Sequence, residues 1–274
     1  MFKIIIMALL IFIGMVGYDS ITDKAQPTTP VQQEQQKISE HEKSAAMALF
    51  VSLLPPKEEW PSPVHKFYLA FNMDEVIDPI RQNPNWTGLD AMSRDIPQAL
   101  IAIEDHAFYN HGAIAVEGIL RAALANINAG EVVQGGSTLT QQFVKNVFLS
   151  HEQSMERKIE EAVLSLMLED NYNKDEILEL YLNTTYFGAG STGIKQASKT
   201  YFGKAPSAMT LAEAAVIASL PYAPTSLNPL ENPEGCKKRQ LLVLAAMHKY
   251  GMINQGQLAE AKAEKIRLTN GTFM

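Results

Sequence analysis

An unbroken apolar run from Ile4 to Gly17, directly after Lys3, sets where folding of this chain can begin. A helix needs ~20 apolar residues to cross a hydrocarbon core comfortably. This run is shorter, so it reads as a short anchor or as the core of a signal peptide. Met15 and Gly17 match a small-residue cleavage site only weakly, and we take residues 1–17 as an uncleaved anchor. The run has no polar face, which argues against a buried N-terminal helix. The sole cysteine is Cys236, so a lipoprotein anchor is excluded. Either reading exports the bulk of the chain.

The next segment delays the fold further. Residues 18–43 are rich in Gln, Thr, Pro and charge and have almost no apolar residues, so they cannot build a core. A short apolar stretch, AAMALFVSLL, ends at Pro55-Pro56, and Pro61 and Pro63 keep the chain irregular. Residues 18–63 are therefore linker and approach, and 64–274 is the folded domain. The 46% apolar content suits a globular domain. A net charge of −7 argues against nucleic-acid binding, which runs on basic surface. One cysteine excludes a disulfide framework and a multi-cysteine zinc site.

Within the domain the patterning is mainly α. Asp95 is placed to cap a helix whose apolar positions Ile96, Ala99, Leu100 and Ile103 follow helical spacing. Asn173 with Glu176 three residues on makes a capping box ahead of the stripe Ile177, Leu178, Tyr181 and Leu182. Thr210 opens LAEAAVIASL, which stops at Pro221, and residues 234–265 read as two helices broken at Gly251. Asn270-Gly271 lies at the tail with no following strand expected, and no other hairpin signal occurs.

Three segments carry chemistry. In EDHAFYNHGA, Glu104 and Asp105 come at the end of an apolar helix, beside Phe108 and His111. Desolvation there favours the neutral carboxyl, which suits general acid–base work, although a solvated helix end would look the same. In GGSTLTQQFVKN, Gly135-Gly136 free the backbone and Ser137 or Thr138 can cap a helix. Helix N-termini favour phosphate, and Gln141, Gln142 and Lys145 add donors and a cation. No Walker loop is formed. In RKIEE, Arg157 and Lys158 share a helix face with Glu161. Taken alone this is a surface ion pair. Taken with the other segments, it offers two carboxylates and three cations to a sugar whose leaving group is a phosphate. His106, His151 and His248 lack metal-ligand spacing and receive no role, and no Gly-x-Ser-x-Gly elbow occurs.

EDHAFYNH, GGSTLTQQFVKN, RKIEE, KDEILELYLN and GIKQASKTYFGK occur in the order of the five motifs of glycosyltransferase family 51, and TLAEAAVIASLPYAPTSLNPLENPE resembles that family's downstream segment. The resemblance covers roughly residues 86–265. It implies a mainly α, lysozyme-like two-lobed glycosyltransferase domain behind an N-terminal membrane anchor, with the domain on the periplasmic or outer face of the cytoplasmic membrane. It implies a peptidoglycan glycosyltransferase, an inverting hexosyltransferase that polymerises lipid II into β-1,4-linked glycan strands and releases undecaprenyl pyrophosphate. Glu104 resembles the general base. Glu161 resembles the second catalytic carboxylate, acting on the leaving group through a divalent cation (Mg or Mn). Lys145, Arg157 and Lys158 match the cations around the pyrophosphates. Ser137, Thr138, Gln141, Gln142 and Asn146 match polar groups of the cleft, with Asp105, Phe108, His111 and Asn183 as further substrate-binding positions. The implied partners are lipid II, the growing strand, the membrane and other cell-wall synthesis proteins. A glycan hydrolase needing one glutamate, or a lipid II-binding scaffold, are the alternatives.

Three positions depart from the family pattern. Ala113 stands where His-x-Gly is usual; if the backbone needs positive φ there, alanine costs about 1 kcal/mol or more. Gln153 replaces a common basic residue, and Ala197-Ser198 replaces paired alanines. The Ser-x-x-Lys and Lys-Thr-Gly elements of a transpeptidase do not occur, Lys199-Thr200 being followed by Tyr201. A free-standing glycosyltransferase and a bifunctional one cut short both fit.

Overall fold

The computed structural model describes residues 68–69, 72–129, 135–149 and 154–274, within a unit that spans Lys66–Met274. The anchor and linker expected over 1–63 lie outside the described residues, as do His151 and Gln153.

The described chain is helical, with no strand longer than an isolated bridge. In order the helices are α1 (Asp74–Arg81), α2 (Asp95–Glu104), α3 (Val116–Ala129), α4 (Leu139–Phe148), α5 (Met155–Asn171), α6 (Lys174–Thr184), α7 (Ile194–Phe202), α8 (Leu211–Ser219), α9 (Pro233–Lys249) and α10 (Gln255–Ala263). None is long and apolar enough to cross a membrane.

Local sequence chemistry explains most boundaries. Thr138, Asn173, Thr210 and Asn254 each close a capping box with Gln141, Glu176, Glu213 and Gln257. Each box satisfies two of the amides a helix start leaves open. α7 runs between Gly193 and Gly203, both at positive φ, and Gly251 at φ +73° separates α9 from α10. One expectation needs correction. Asp95 is the first residue of α2 and not its cap; Arg94 occupies the cap with no side-chain bond. Burial raises the Asp95 carboxyl pKa, and a hydrogen bond from Ser93 offsets part of that rise. At the tail, Asn270-Gly271 does turn the chain back. Arg267 and Phe273 form an antiparallel bridge, and Ile266 and Met274 exchange backbone hydrogen bonds of 3.1 and 2.9 Å. The pairing stops at this isolated bridge, and no strand follows the turn, as the sequence leads one to expect.

The core is organised on α8, every residue of which from Ala212 to Ser219 is buried. α8 is almost wholly apolar, its one charge, Glu213, being paired with Lys204, so it has no solvent face to offer; it is packed by α2 and α9, which also touch each other. A second group places α4 against α5 and α6. The ends of α2, α4 and α5 are thereby brought to one region, where the three chemistry-bearing segments lie.

Candidate active site

Glu104 ends α2, one residue after its last apolar turn. Its Oε2 accepts a hydrogen bond from Gln142 Nε2 on α4 at 3.0 Å, and Gln142 Oε1 accepts from the Tyr181 hydroxyl on α6 at 3.0 Å. Tyr181 is fully buried. Burial first, and the nearby Glu104 charge second, push its phenol far above the usual range, so it stays a donor. This relay fixes the amide orientation of Gln142 and leaves Glu104 Oε1 with no hydrogen bond from another described residue.

Asp105 faces away from that relay. Its Oδ1 meets His111 Nε2 at 2.6 Å, and its Oδ2 accepts the Leu139 backbone N–H at 3.0 Å. Leu139 opens α4, so the carboxylate sits at a helix N-terminus, where negative charge is stabilised. Phe108 is fully buried beneath this turn, with the Lys174 ammonium 4.5 Å from its ring centre. Ala113 is not at positive φ, since Ala189 is the only such non-glycine among the described residues. The Ala113 carbonyl accepts from Thr138 Oγ1 at 2.7 Å, so alanine is accommodated there without strain.

The third segment joins through Ser137. Lys158 Nζ donates to Ser137 Oγ at 3.2 Å and is ion-paired with Glu161. Arg157 Nη1 lies 3.9 Å from the other Glu161 oxygen. Glu161 is 2% exposed, and these two cations are its charged neighbours. The buried Nε of Arg157 has no partner among the described residues, which leaves the guanidinium with unused donor capacity.

Other expected positions have different surroundings. Gln141 is buried and committed to the α4 capping box. Lys145 and Asn146 lie on the exposed side of α4. Asn183 lines a different cavity, and its amide holds the Thr87 backbone N–H and C=O, each at 2.9 Å.

A cleft of about 400 Å³ is lined by Glu104, Asp105, His111, Ser137 and Thr138. It is also lined by three residues that sequence reasoning passed over: His106, Arg121 and Tyr250. The His106 and Tyr250 rings stack with centroids 4.2 Å apart. Burial, then the Arg121 charge, lowers the His106 pKa. No local pattern pairs positions 106 and 250; only the packing of α9 near α2 does so. No three His, Cys, Asp or Glu side chains gather as a metal site among the described residues. Glu161 stands as a single carboxylate facing two protein cations, and a Mg-type ion shared between one carboxylate and a substrate's phosphates needs no larger protein cluster.

The transglycosylase family model matches residues 73–248, and the chain belongs to that family, glycosyltransferase family 51. A Cupriavidus necator protein whose name describes it as a transglycosylase is 40% identical over 194 residues, covering 71% of this chain and 84% of that protein. Penicillin-binding protein 1A of Aquifex aeolicus is 43% identical over 176 residues, covering 64% of this chain and 24% of the relative. Penicillin-binding protein 1F of Bacillus subtilis is 38% identical over 197 residues, 72% of this chain and 28% of the relative. The chain thus spans about a quarter of these two penicillin-binding proteins. A crystal structure of penicillin-binding protein 1A from Haemophilus influenzae aligns with 48% of this chain and 16% of that one, at 34% identity and a TM-score of 0.35.

Proposed function

We propose that this domain is a peptidoglycan glycosyltransferase that polymerises lipid II into β-1,4-linked glycan strands and releases undecaprenyl pyrophosphate. The observation that carries the reading is the division of labour between the two glutamates. Glu104 has a free oxygen and a neutral amide relay. Glu161 is buried between two cations, and the Arg157 Nε has no partner among the described residues.

In this mechanism Glu104 Oε1 takes the proton of the acceptor 4-hydroxyl as that oxygen attacks the donor anomeric carbon. The anomeric C–O bond to the pyrophosphate breaks, its electron pair leaves with the pyrophosphate, and the configuration inverts. Charge developing on the leaving oxygen is met by the Arg157 guanidinium and the Lys158 ammonium, fixed in advance by Glu161 and Ser137. Lys145 on the exposed side of α4 extends the same field toward the lipid-linked phosphates. Glu161 is the carboxylate that would hold a divalent cation shared with the pyrophosphate, which would supply further charge to the leaving group.

A lysozyme-like two-lobed arrangement, a membrane anchor and a site on the outer face of the membrane belong to the same reading. Two helices support apposition to a bilayer. Val116, Ile119, Leu120 and Ile127 on α3, and Ile159, Val163 and Leu166 on α5, are exposed large apolar side chains at helical spacing. Contiguous exposed apolar surface marks interaction or membrane sites.

The test is incubation of the purified chain with labelled lipid II. Glycan strands are expected from wild type, with a loss of about 10²- to 10⁴-fold in Glu104→Gln, the usual worth of general-base catalysis. Absence of strands in wild type, or equal rates in the variant, sinks the reading. Release of soluble muropeptides from isolated walls would indicate a hydrolase instead.

A further inference from the structure

We infer a second carbohydrate-binding site on this domain, in a cavity of about 230 Å³ that shares no lining residue with the catalytic cleft. It lies where the segment after α1 meets the end of α6 and the start of α7, around Trp86, Asn83, Asn85, Thr192 and Gln196.

The chemistry of the lining selects the ligand class. Among the described residues no charged side chain lines the cavity, so these residues offer no charge partner to a phosphate, a carboxylate or an ammonium group. It offers amides and hydroxyls, which supply donors and acceptors together, beside one indole. That combination fits a neutral sugar: hydroxyl and acetamido groups pair with amides, and the apolar face of the ring lies on the indole.

The cavity is also built in advance. Trp86 is half-buried against the core. The next residue, Thr87, is clamped at both its backbone groups by Asn183. The Asn83 side-chain oxygen accepts the Asn85 backbone N–H at 2.8 Å, and the Gln196 oxygen accepts the Thr192 backbone N–H at 3.2 Å. The Asn83 and Gln196 bonds each orient an amide nitrogen that no other described residue engages, whereas the Asn183 nitrogen is spent on the Thr87 and Glu179 carbonyls. The Asn85 amide itself has no hydrogen bond from a described residue. Asn83 is exposed and Gln196 half-exposed, yet each amide is already held by a backbone N–H, and amides held this way lose less entropy when they bind.

The volume falls below the ~300–1,000 Å³ of pockets that enclose a whole ligand. It suits one ring of a chain that continues into solvent. The ligand class is therefore an uncharged oligosaccharide carrying N-acetyl groups. That this oligosaccharide is the strand made in the cleft rests on the glycosyltransferase reading above; the sugar site itself does not. A strand held at a second point stays at high effective concentration near the cleft.

The experiment uses the full chain in detergent with Trp60→Phe as background, so that Trp86 is the only indole reporter of the two tryptophans. Tetra-N-acetylchitotetraose is titrated while indole fluorescence is followed. A saturable change is expected in this protein and equally in Glu104→Gln. Binding at least tenfold weaker is expected in Asn85→Ala/Gln196→Ala, whose thermal unfolding should match the parent because Asn85 is exposed and Gln196 half-exposed. Maltotetraose, which lacks acetamido groups, is expected not to bind. The proposal is overturned by no saturable change, by unaltered binding in the double variant, by loss of binding in Glu104→Gln, or by equal binding of maltotetraose. Lipid II polymerisation by the same preparations separates the two ideas. Sugar binding without polymerisation sinks the enzymatic reading alone, and polymerisation without sugar binding sinks this site alone.

Discussion

Asp105 and His111 meet at 2.6 Å, and the second oxygen of the same carboxylate accepts the first amide of α4. One side chain therefore ties the end of α2, the turn carrying Phe108 and the start of the helix that carries Gln142. On the proposed glycosyltransferase reading, Asp105 acts through these partners as a positioning residue for Glu104.

Asp105→Asn keeps the shape but cannot accept from both His111 and the Leu139 N–H as a carboxylate does. Hydrogen bonds to charged groups contribute about 1.5–3 kcal/mol. We expect a loss of about 2 kcal/mol in stability, read by chemical denaturation, together with a fall in kcat exceeding any change in KM. A variant as stable and active as wild type would remove Asp105 from this role.

Lys158→Ala leaves the buried Glu161 with Arg157 alone at 3.9 Å. Orphaning a fully buried charge costs about 3–5 kcal/mol. Lys158 is 45% exposed and Arg157 remains, so the expected loss is about 1–2 kcal/mol. The catalytic loss is larger: removal of one preorganised charge from a developing anion costs on the order of 10²- to 10³-fold in kcat. Steady-state polymerisation rates beside a denaturation curve distinguish the two effects, and Lys158→Arg should recover more of both than Lys158→Gln.

Gly193 has φ +84°, and a Cβ there would lie 2.6 Å from the Asn183 backbone carbonyl. The left-handed conformation costs an L-residue about 1–2 kcal/mol, and the clash falls on backbone that cannot rotate away. Gly193→Ala should therefore destabilise by more than about 3 kcal/mol. By contrast, Gly190→Ala, also at positive φ but with open space around it, should cost only the conformational part. Thermal unfolding of the two variants side by side checks this order.

His106 has a folded-state pKa below its ordinary 6.5, because burial and the Arg121 charge oppose the cation. The unfolded chain then binds more protons than the folded one just below pH 6.5, so stability rises with pH through that window. Its contribution is present above pH 6.5 and is lost as pH falls toward the folded-state value. His106→Phe keeps a ring against Tyr250 and removes the titration. Its melting temperature should fall less than that of wild type between pH 7 and pH 5. Parallel curves for the two proteins would show that His106 does not couple to folding.

Much of the site was legible in the chain because its determinants are local. Helix starts at Thr138, Asn173 and Thr210 follow from side chains within one turn, and so does the Arg157, Lys158 and Glu161 face. Capping residues also explain why Gln141 turned out structural: its spacing to Thr138 serves a capping box as well as a cleft. Asp95 was misplaced by one position, as helix ends are when two polar residues compete for the cap. At Asn270-Gly271 the chain turns back into a single bridge and no strand, as the lack of a following apolar alternation implies.

The sequence by itself determined the helical class, most helix ends, the order of the motifs and the candidates Glu104 and Glu161. Those depend on contacts within a few residues, where spacing and side-chain type suffice. Only the tertiary structure decided what each candidate touches. It set Gln142 on Glu104, Asp105 on the α4 amide, Lys158 between Ser137 and Glu161, and Tyr250 on His106. It also took Asn183 out of the cleft lining and gave it to Thr87, 96 residues away. Such pairings are chosen by how α2, α4, α5 and α9 pack around their shared apolar surface, and that choice is a property of the whole core.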